Sequence, residues 1–125
     1  MNNSHSKRSL YRLAILSLSL FALAALSSAR TPTATSVNIV NNSNREIRNV
    51  YFSHVNAEDW SGNQLGNGAI IAPGQSNNLS NVACDQQQVK VIAEDQDGCF
   101  LSTVVNCGDS ATWTITNDTA RDCDG

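Results

Sequence analysis

The sequence predicts an all-β protein: a small antiparallel β-sandwich of about seven strands, stapled by disulfides and preceded by a cleavable signal helix. Short runs rich in Val, Ile, Thr and aromatic residues recur along the chain, separated by clusters of Asn, Gly, Asp and Ser. No stretch beyond residue 29 keeps a helical period, and all four cysteines follow that position. Together these observations are typical of a small disulfide-bonded β domain.

The N-terminal 29 residues have the three parts of an export signal. Lys7, Arg8 and Arg12 form a basic start, residues 13–26 are an unbroken run of apolar and small residues, and small residues continue to Ala29. A retained membrane anchor is the alternative, but the run is 14 residues long, short of the roughly 20 needed to span a bilayer. The sequence therefore predicts cleavage after Ala29 and a secreted or periplasmic product.

The remaining 96 residues, 30–125, have the length of one small domain. Three of the 8 basic residues belong to the signal, so five remain against 11 acidic ones and the net charge is −6. An acidic chain is a poor partner for nucleic acid or an anionic membrane. We therefore expect neither as a partner.

The predicted strands are short, and turn residues separate them. They cover residues 36–41, 47–54, 69–72, 76–79, 88–94, 99–106 and 111–117. Residues 41–44, Asn-Asn-Ser-Asn, predict a hairpin turn after the first strand, because Asn tolerates positive φ and its side chain caps turns. Pro73-Gly74 predicts another turn, since Pro presets φ and Gly accepts the left-handed position.

The strongest local signal is a hairpin over residues 88–106, with Asp97-Gly98 between two β-rich runs. Val89, Val91 and Ala93 should point to one face of the sheet and Lys90 and Glu94 to the other, as a half-buried antiparallel strand requires. A second turn at residues 107–110 leads to the last strand. The sequence thus predicts that the C-terminal half is a three-stranded meander.

Four cysteines allow three disulfide pairings, and the predicted strands favour one of them. Cys84 and Cys107 lie just outside the open end of the hairpin, whereas Cys99 begins its second strand near the expected arrival of the chain end with Cys123. We therefore expect Cys84–Cys107 and Cys99–Cys123 bridges. Zinc is disfavoured because the cysteines are 15, 8 and 16 positions apart, whereas structural zinc sites bring their ligands in close pairs.

The order of these motifs resembles that of a family of small exported bacterial β-sandwich proteins. The shared features are a strand ending in Asn-Asn, a Val-Tyr-x-Ser strand, a loop with Trp60 and Leu65-Gly66, a Pro-Gly turn and a Cys-to-Cys hairpin containing Asp-Gly. Ser61 interrupts the family's Trp-Gly pair, and Gln86 to Gln88 replace a Tyr-Asp after the first cysteine. The resemblance implies the fold and the Cys84–Cys107 bridge, and it implies no particular activity.

The acidic tip of the hairpin is a candidate site for calcium. Asp95 and Asp97, with Glu94 beside them, offer oxygen ligands. Calcium takes six to eight such ligands, and the EF-hand spacing is absent. A solvated acidic turn is the alternative interpretation. No other cofactor is expected.

Catalytic residues are sparse, so the sequence favours a non-enzymatic module. His54 is the one histidine beyond the signal, and it has no nucleophile motif around it. A small hydrolase using His54, or Glu58 with Asp59, is the weakest of the hypotheses.

The loop over residues 55–68 is the candidate recognition segment, with Trp60, Gln64 and Leu65. An exposed Trp60 is a potential binding anchor. A buried Trp60 pins the loop to the core, and the sequence favours this second interpretation because tryptophans are largely buried. The expected partner is an unidentified protein or glycan, and the oligomeric state stays open.

Overall fold

The structure is a computed structural model, and it describes residues 34–124. The predicted signal and the cleavage point after Ala29 lie outside these residues. The described chain contains six strands and one short 3-10 turn, Gly66–Gly68. The strands are β1 (Thr35–Asn42), β2 (Ile47–Ser53), β3 (Ser76–Val82), β4 (Gln88–Asp95), β5 (Phe100–Asn106) and β6 (Ser110–Thr116).

The strands form two three-stranded sheets, with the orders β3-β1-β6 and β2-β4-β5. The prediction of an all-β fold is thereby confirmed. The pairing of β1 with β6 is parallel, and the other three pairings are antiparallel. The sandwich is therefore mixed rather than wholly antiparallel.

The core lies between the two sheets and follows from the alternation of apolar residues along the strands. Val37 and Ile39 of β1, Val50 of β2, Val91 of β4 and Ile115 of β6 are completely buried. Successive side chains of a strand point to opposite faces, so each strand supplies every second residue to the interior.

The predicted hairpin over residues 88–106 is confirmed. Strands β4 and β5 pair from Gln88 with Asn106 to Glu94 with Phe100. Gly98 adopts a φ of 77° at the turn, a conformation that favours glycine. The Asp95 carboxylate caps the turn by accepting hydrogen bonds from the backbone N–H groups of Asp97 and Cys99.

The predicted three-stranded meander is wrong, because β6 leaves the hairpin's sheet. It runs parallel to β1 in the opposite sheet, and Ile39 pairs with Trp113. Two contacts fix this crossing: Ser36 N–H donates to Asp109 O (3.1 Å), and Gly108 N–H donates to Thr35 Oγ1 (2.7 Å). The apolar alternation of a strand shows that one face is buried, but it does not show which sheet the strand joins.

The predicted hairpin at residues 41–44 is also wrong, since β1 and β2 belong to different sheets. Here the fully buried side chain of Asn41 organises the passage between the sheets. Its Nδ2 donates to Arg45 O (2.7 Å) and Ile71 O (2.8 Å), and its Oδ1 accepts from the N–H and Oγ of Ser43. These bonds satisfy a polar group that would be costly to bury alone.

The predicted strand over residues 69–72 shrinks to a single bridge between Ile71 and Ile47. The exchange of two backbone hydrogen bonds anchors the buried Ile71 there. Pro73-Gly74 then turns the chain into β3, with a φ of 80° at Gly74. Seven predicted strands thus become six.

Both predicted disulfides are confirmed: Cys84 is bonded to Cys107, and Cys99 to Cys123. The second forms because the chain after β6 returns to β5, where Phe100 and Asp122 exchange two backbone hydrogen bonds of 2.7 and 2.8 Å. Disulfides of this kind are typical of proteins in oxidising, extracytoplasmic compartments. Residues 34–124 contain no helix long and apolar enough to span a membrane.

Candidate functional site

A cleft of about 720 Å³ opens on the side of the sandwich where the edge strands β2 and β3 lie. One wall comes from the end of β2 and the loop after it, and the other from β3 and the segment that leads to β4. The lining residues are 52–54, 59, 61, 64 and 66 on the first wall, 77–85 on the second, and 88 and 89 of β4.

Neutral polar side chains dominate the cleft. Five of its lining residues carry side-chain amides: Gln64, Asn77, Asn78, Asn81 and Gln88. Apolar side chains lie among them, including Phe52 and Leu79, which pack against the core. The cleft therefore offers more hydrogen-bonding groups than a typical small-molecule pocket, whose lining is mostly apolar with a few convergent polar groups.

His54 joins the two walls at the cleft by contacting two carboxylates, and we call this arrangement the His54 clasp. Its Nδ1 hydrogen-bonds to Asp59 Oδ2, and its Nε2 lies 2.7 Å from Asp85 Oδ1. The backbone N–H of His54 also donates to Asp59 Oδ1 (3.1 Å). The clasp therefore links the loop after β2 to the segment that precedes β4.

The clasp shifts the protonation of its members. The hydrogen bonds that the His54 ring donates to Asp59 and, to a smaller extent, to Asp85 raise the pKa of His54, because they stabilise the protonated imidazole. The hydrogen bond from His54 lowers the pKa of Asp59 in return. Neither lysine nor arginine is among the residues that line the cleft. The cleft thus carries two carboxylates against one imidazolium, and its net charge is negative.

We expect the clasp to hold between about pH 4 and 6.5 and to weaken on both sides of that range. The raised pKa of His54 means that its contribution is complete below its ordinary value of 6.5 and is lost as the pH rises through the folded value. The lowered pKa of Asp59 means that its contribution is complete above 3.8 and is lost as the pH falls through the folded value. NMR titration of the His54 imidazole measures the first shift directly.

A second measurement compares the melting temperatures of the natural protein and a His54→Gln variant as a function of pH. The variant is the control, because it keeps a polar side chain at position 54 but cannot become charged. The melting temperature of the natural protein should fall relative to that of the variant above about pH 6.5, the ordinary histidine value. An imidazole that titrates at or below this value would contradict the clasp.

The predicted calcium ligands lie far from this cleft, in an ion-pair network beneath the β4–β5 turn. The carboxylate of Asp95 is fully buried, and its Oδ2 lies 2.9 Å from Arg121 Nη1 and 3.3 Å from Arg45 Nε. Arg121 also reaches Asp97 Oδ2 (3.3 Å). Burial alone would raise the pKa of Asp95, but the Arg121 guanidinium and the two backbone N–H donors hold it below its ordinary value.

We expect millimolar calcium to leave the melting temperature unchanged. Both oxygens of Asp95 already accept hydrogen bonds, so a calcium ion would have to displace two guanidinium groups. A thermal melt with calcium and with chelator measures this. A calcium-dependent rise of several degrees that Asp97→Asn abolishes would contradict the expectation and restore the calcium hypothesis.

The predicted recognition residues separate in the structure. Leu65 is 3% exposed and belongs to the core, so its side chain is not available to a partner in this structure. Gln64 lines the cleft. Trp60 is 39% exposed and does not enter the core, contrary to the favoured interpretation. Its ring packs against Tyr51 and Phe100, at centroid distances of 5.5 and 5.0 Å, on the outer face of the β2-β4-β5 sheet.

The sequence predicts neither the cleft nor the His54 clasp. His54, Glu58 and Asp59 are the residues of the hydrolase hypothesis, but Glu58 is exposed and the second partner of His54 is Asp85. Asp85 is 31 positions from His54 in the sequence, and no local pattern pairs the two residues. Such a pair becomes visible only when the disulfide brings the segment before β4 back to the sheet.

Comparison with known proteins adds one distant likeness. The chain matches no protein-family model and no curated protein. It is similar to an NMR structure of a protein from Eubacterium rectale, with 15% sequence identity and a TM-score of 0.47, over 72% of this chain and 84% of that one. The resemblance to small exported bacterial proteins stays a prediction.

Proposed function

We propose that this protein is a non-enzymatic module that works outside the cytoplasm, secreted or periplasmic, and binds another macromolecule in the cleft between β2 and β3. The observation that carries the proposal is the cleft itself. Its volume of about 720 Å³ falls within the range of roughly 300–1,000 Å³ typical of small-molecule sites, so it has room for one segment of a larger ligand. Its amide-rich walls supply both donors and acceptors of hydrogen bonds.

The two disulfides and the predicted export signal support the location. Four bridged cysteines leave no free thiol in this chain. An oxidising compartment would keep both bridges formed. The disulfide at Cys84 also steadies the wall of the cleft that carries Asp85.

The contacts of His54 support a non-enzymatic role. A general base needs a ring nitrogen within reach of the proton that it removes. Both ring nitrogens of His54 contact carboxylates instead. The neighbouring Ser53 hydroxyl donates to the carbonyl oxygens of His54 and Ala57, and the Ser61 hydroxyl donates to Gly62 O. Among residues 34–124, no hydroxyl is paired with the imidazole as an activated nucleophile would be.

The test is a binding assay with two panels, one of short peptides and one of cell-envelope oligosaccharides, on the oxidised protein exported from its full-length chain. Asn77→Arg places a bulky side chain on the inner side of β3, where Asn77 pairs with the core residue Ile39. Thr112→Arg is the matched control, because Thr112 is exposed on the outer face of the same sheet. Thermal melts check that both variants fold.

We expect a ligand from one panel to bind the natural protein and Thr112→Arg with equal affinity. Its affinity for Asn77→Arg should be at least about tenfold lower, a loss of roughly 1.4 kcal/mol or more. Equal binding to all three proteins would place the ligand elsewhere and overturn the proposed site. Absence of any ligand from both panels would also count against the proposal.

A further inference from the structure

We propose that the cleft binds an extended polypeptide segment, which adds to β3 as a further strand of the β3-β1-β6 sheet. This inference rests on the proposed function, because it names the ligand class of the same site. Strand addition is an established mode of peptide recognition, in which backbone hydrogen bonds provide affinity and side-chain pockets provide specificity.

The cleft runs along the open edge of β3. Within residues 34–124, β1 is the sole strand paired with β3. Every residue from Asn77 to Asp85 lines the cleft. Successive side chains of a strand point to opposite faces. An unbroken run of lining residues therefore means that the cleft follows the backbone edge of the strand rather than one of its faces.

The hydrogen-bond register identifies which backbone groups point into the cleft. Asn41 N–H donates to Gln75 O (2.9 Å) at the start of the β1–β3 ladder. Hydrogen-bonded pairs alternate along an antiparallel ladder, so Asn77 and Leu79 exchange bonds with β1. The N–H and C=O of Asn78 accordingly point away from β1, toward the cleft.

The opposite wall shows that β2 is closed to such a partner. Its edge is covered by its own loop: Ser61 N–H donates to Phe52 O (2.8 Å), and Gln64 N–H donates to Val50 O (2.7 Å). The N–H groups of Phe52 and Val50 donate to Ser61 Oγ and Asn63 Oδ1, each at 2.9 Å. Proteins usually protect an edge strand by a cover of this kind, or by Lys or Pro on the edge. Strand β3, Ser76–Val82, has neither Lys nor Pro, and its register shift against β1 lies between Leu79 and Val82, beyond the regularly paired residues 76–79.

The charge of the cleft selects among peptides. Asp59 and Asp85 flank His54, and no lysine or arginine lines the cleft. A peptide with a basic residue beside an apolar one fits this arrangement, since Leu79 and Phe52 offer apolar contact and the carboxylates attract a cation. A glycan lacks the repeating N–H and C=O groups that would match the edge of β3.

The experiment selects short random peptides on the oxidised protein and then scans one selected peptide by N-methylation of each backbone nitrogen in turn. Methylation removes one donor without changing the side chain. We expect alternate positions to lose binding about tenfold and the intervening positions to retain it, because one edge of an added strand pairs with β3 and the other faces away. The unmethylated peptide should also bind more weakly to Asn77→Arg but not to Thr112→Arg.

Amide hydrogen exchange gives an independent readout on the protein. When the peptide binds, exchange at the Asn78 amide should slow about tenfold or more as it gains a partner. The amides of Asn77 and Leu79 serve as internal controls, since they already pair with β1. Asp85→Asn should weaken the binding of a basic peptide more than the binding of a neutral one.

Peptide binding without the period-two pattern, or with no slowing at Asn78, would overturn strand addition. Recovery of no peptide would overturn it as well. If an oligosaccharide then binds and Asn77→Arg abolishes that binding, the proposed cleft stands and the inference about its ligand fails. If peptides bind with the period-two pattern yet Asn77→Arg has no effect, the cleft is not the site and both proposals fail.

Discussion

Replacing Asp95 by asparagine is expected to lower the free energy of unfolding by about 3 kcal/mol, because it leaves two guanidinium groups without their buried counter-charge. The asparagine is close in size and still accepts the backbone hydrogen bonds of Asp97 and Cys99. What is lost is the charge at Oδ2, which Arg121 and Arg45 contact at 2.9 and 3.3 Å. Urea unfolding measures the change as a lower midpoint at unchanged slope.

Asp97→Asn is the matched control for this prediction. Its carboxylate contacts the same Arg121 at 3.3 Å, but its side chain is 55% exposed. Exposed ion pairs contribute roughly 0–1 kcal/mol, so this variant should be nearly as stable as the natural protein. Equal losses in both variants would show that the turn, and not the buried charge, matters.

Acid unfolding supplies a second readout for Asp95. Its pKa is lowered in the folded state, so its contribution is present above the ordinary value of 3.8 and is lost as the pH falls through the folded value. The stability gap between the natural protein and Asp95→Asn should therefore narrow in acid. A gap that stays constant with pH would contradict an ionic origin.

Removing the Cys84–Cys107 bridge by a double change to serine should cost about 3 kcal/mol, as expected for a closed loop of this size in the chain-entropy account. For a domain of this length the loss corresponds to a fall in melting temperature of roughly 10–20 °C. Cys84 packs against the core, and Asp85 follows it directly. We therefore also expect the pKa of His54 to move toward its ordinary value as the clasp loosens. Calorimetry and NMR titration measure the two effects.

The corresponding Cys99 and Cys123 double variant separates the two effects. Its loop is of similar size, with a sequence separation of 24 against 23, so its stability loss should be similar. It lies away from the cleft, so the pKa of His54 should not change. A His54 shift of equal size in both variants would contradict the link between the Cys84 bridge and the clasp.

Much of the fold could be predicted from local patterns. The alternation of Val89, Val91 and Ala93 and the Asp97-Gly98 turn predict the β4–β5 hairpin, because pairing across a short turn depends on neighbouring residues alone. With that hairpin in place, the positions of Cys84 and Cys107 at its open end predict their bridge. The acidic composition likewise follows from counting residues.

Contacts between distant parts of the chain decided the rest. A strand such as β6 presents the same alternation in either sheet, and its parallel pairing with β1 depends on contacts of Thr35 and Ser36 with residues more than 70 positions away. The ion pairing of the buried Asp95 carboxylate depends likewise on two arginines outside the hairpin, Arg45 and Arg121. The cleft exists only because β2 and β3 become the edges of different sheets on the same side, which no local pattern encodes. Local sequence thus specifies strands and turns, while the burial of apolar faces between two sheets selects their partners and thereby creates the candidate site.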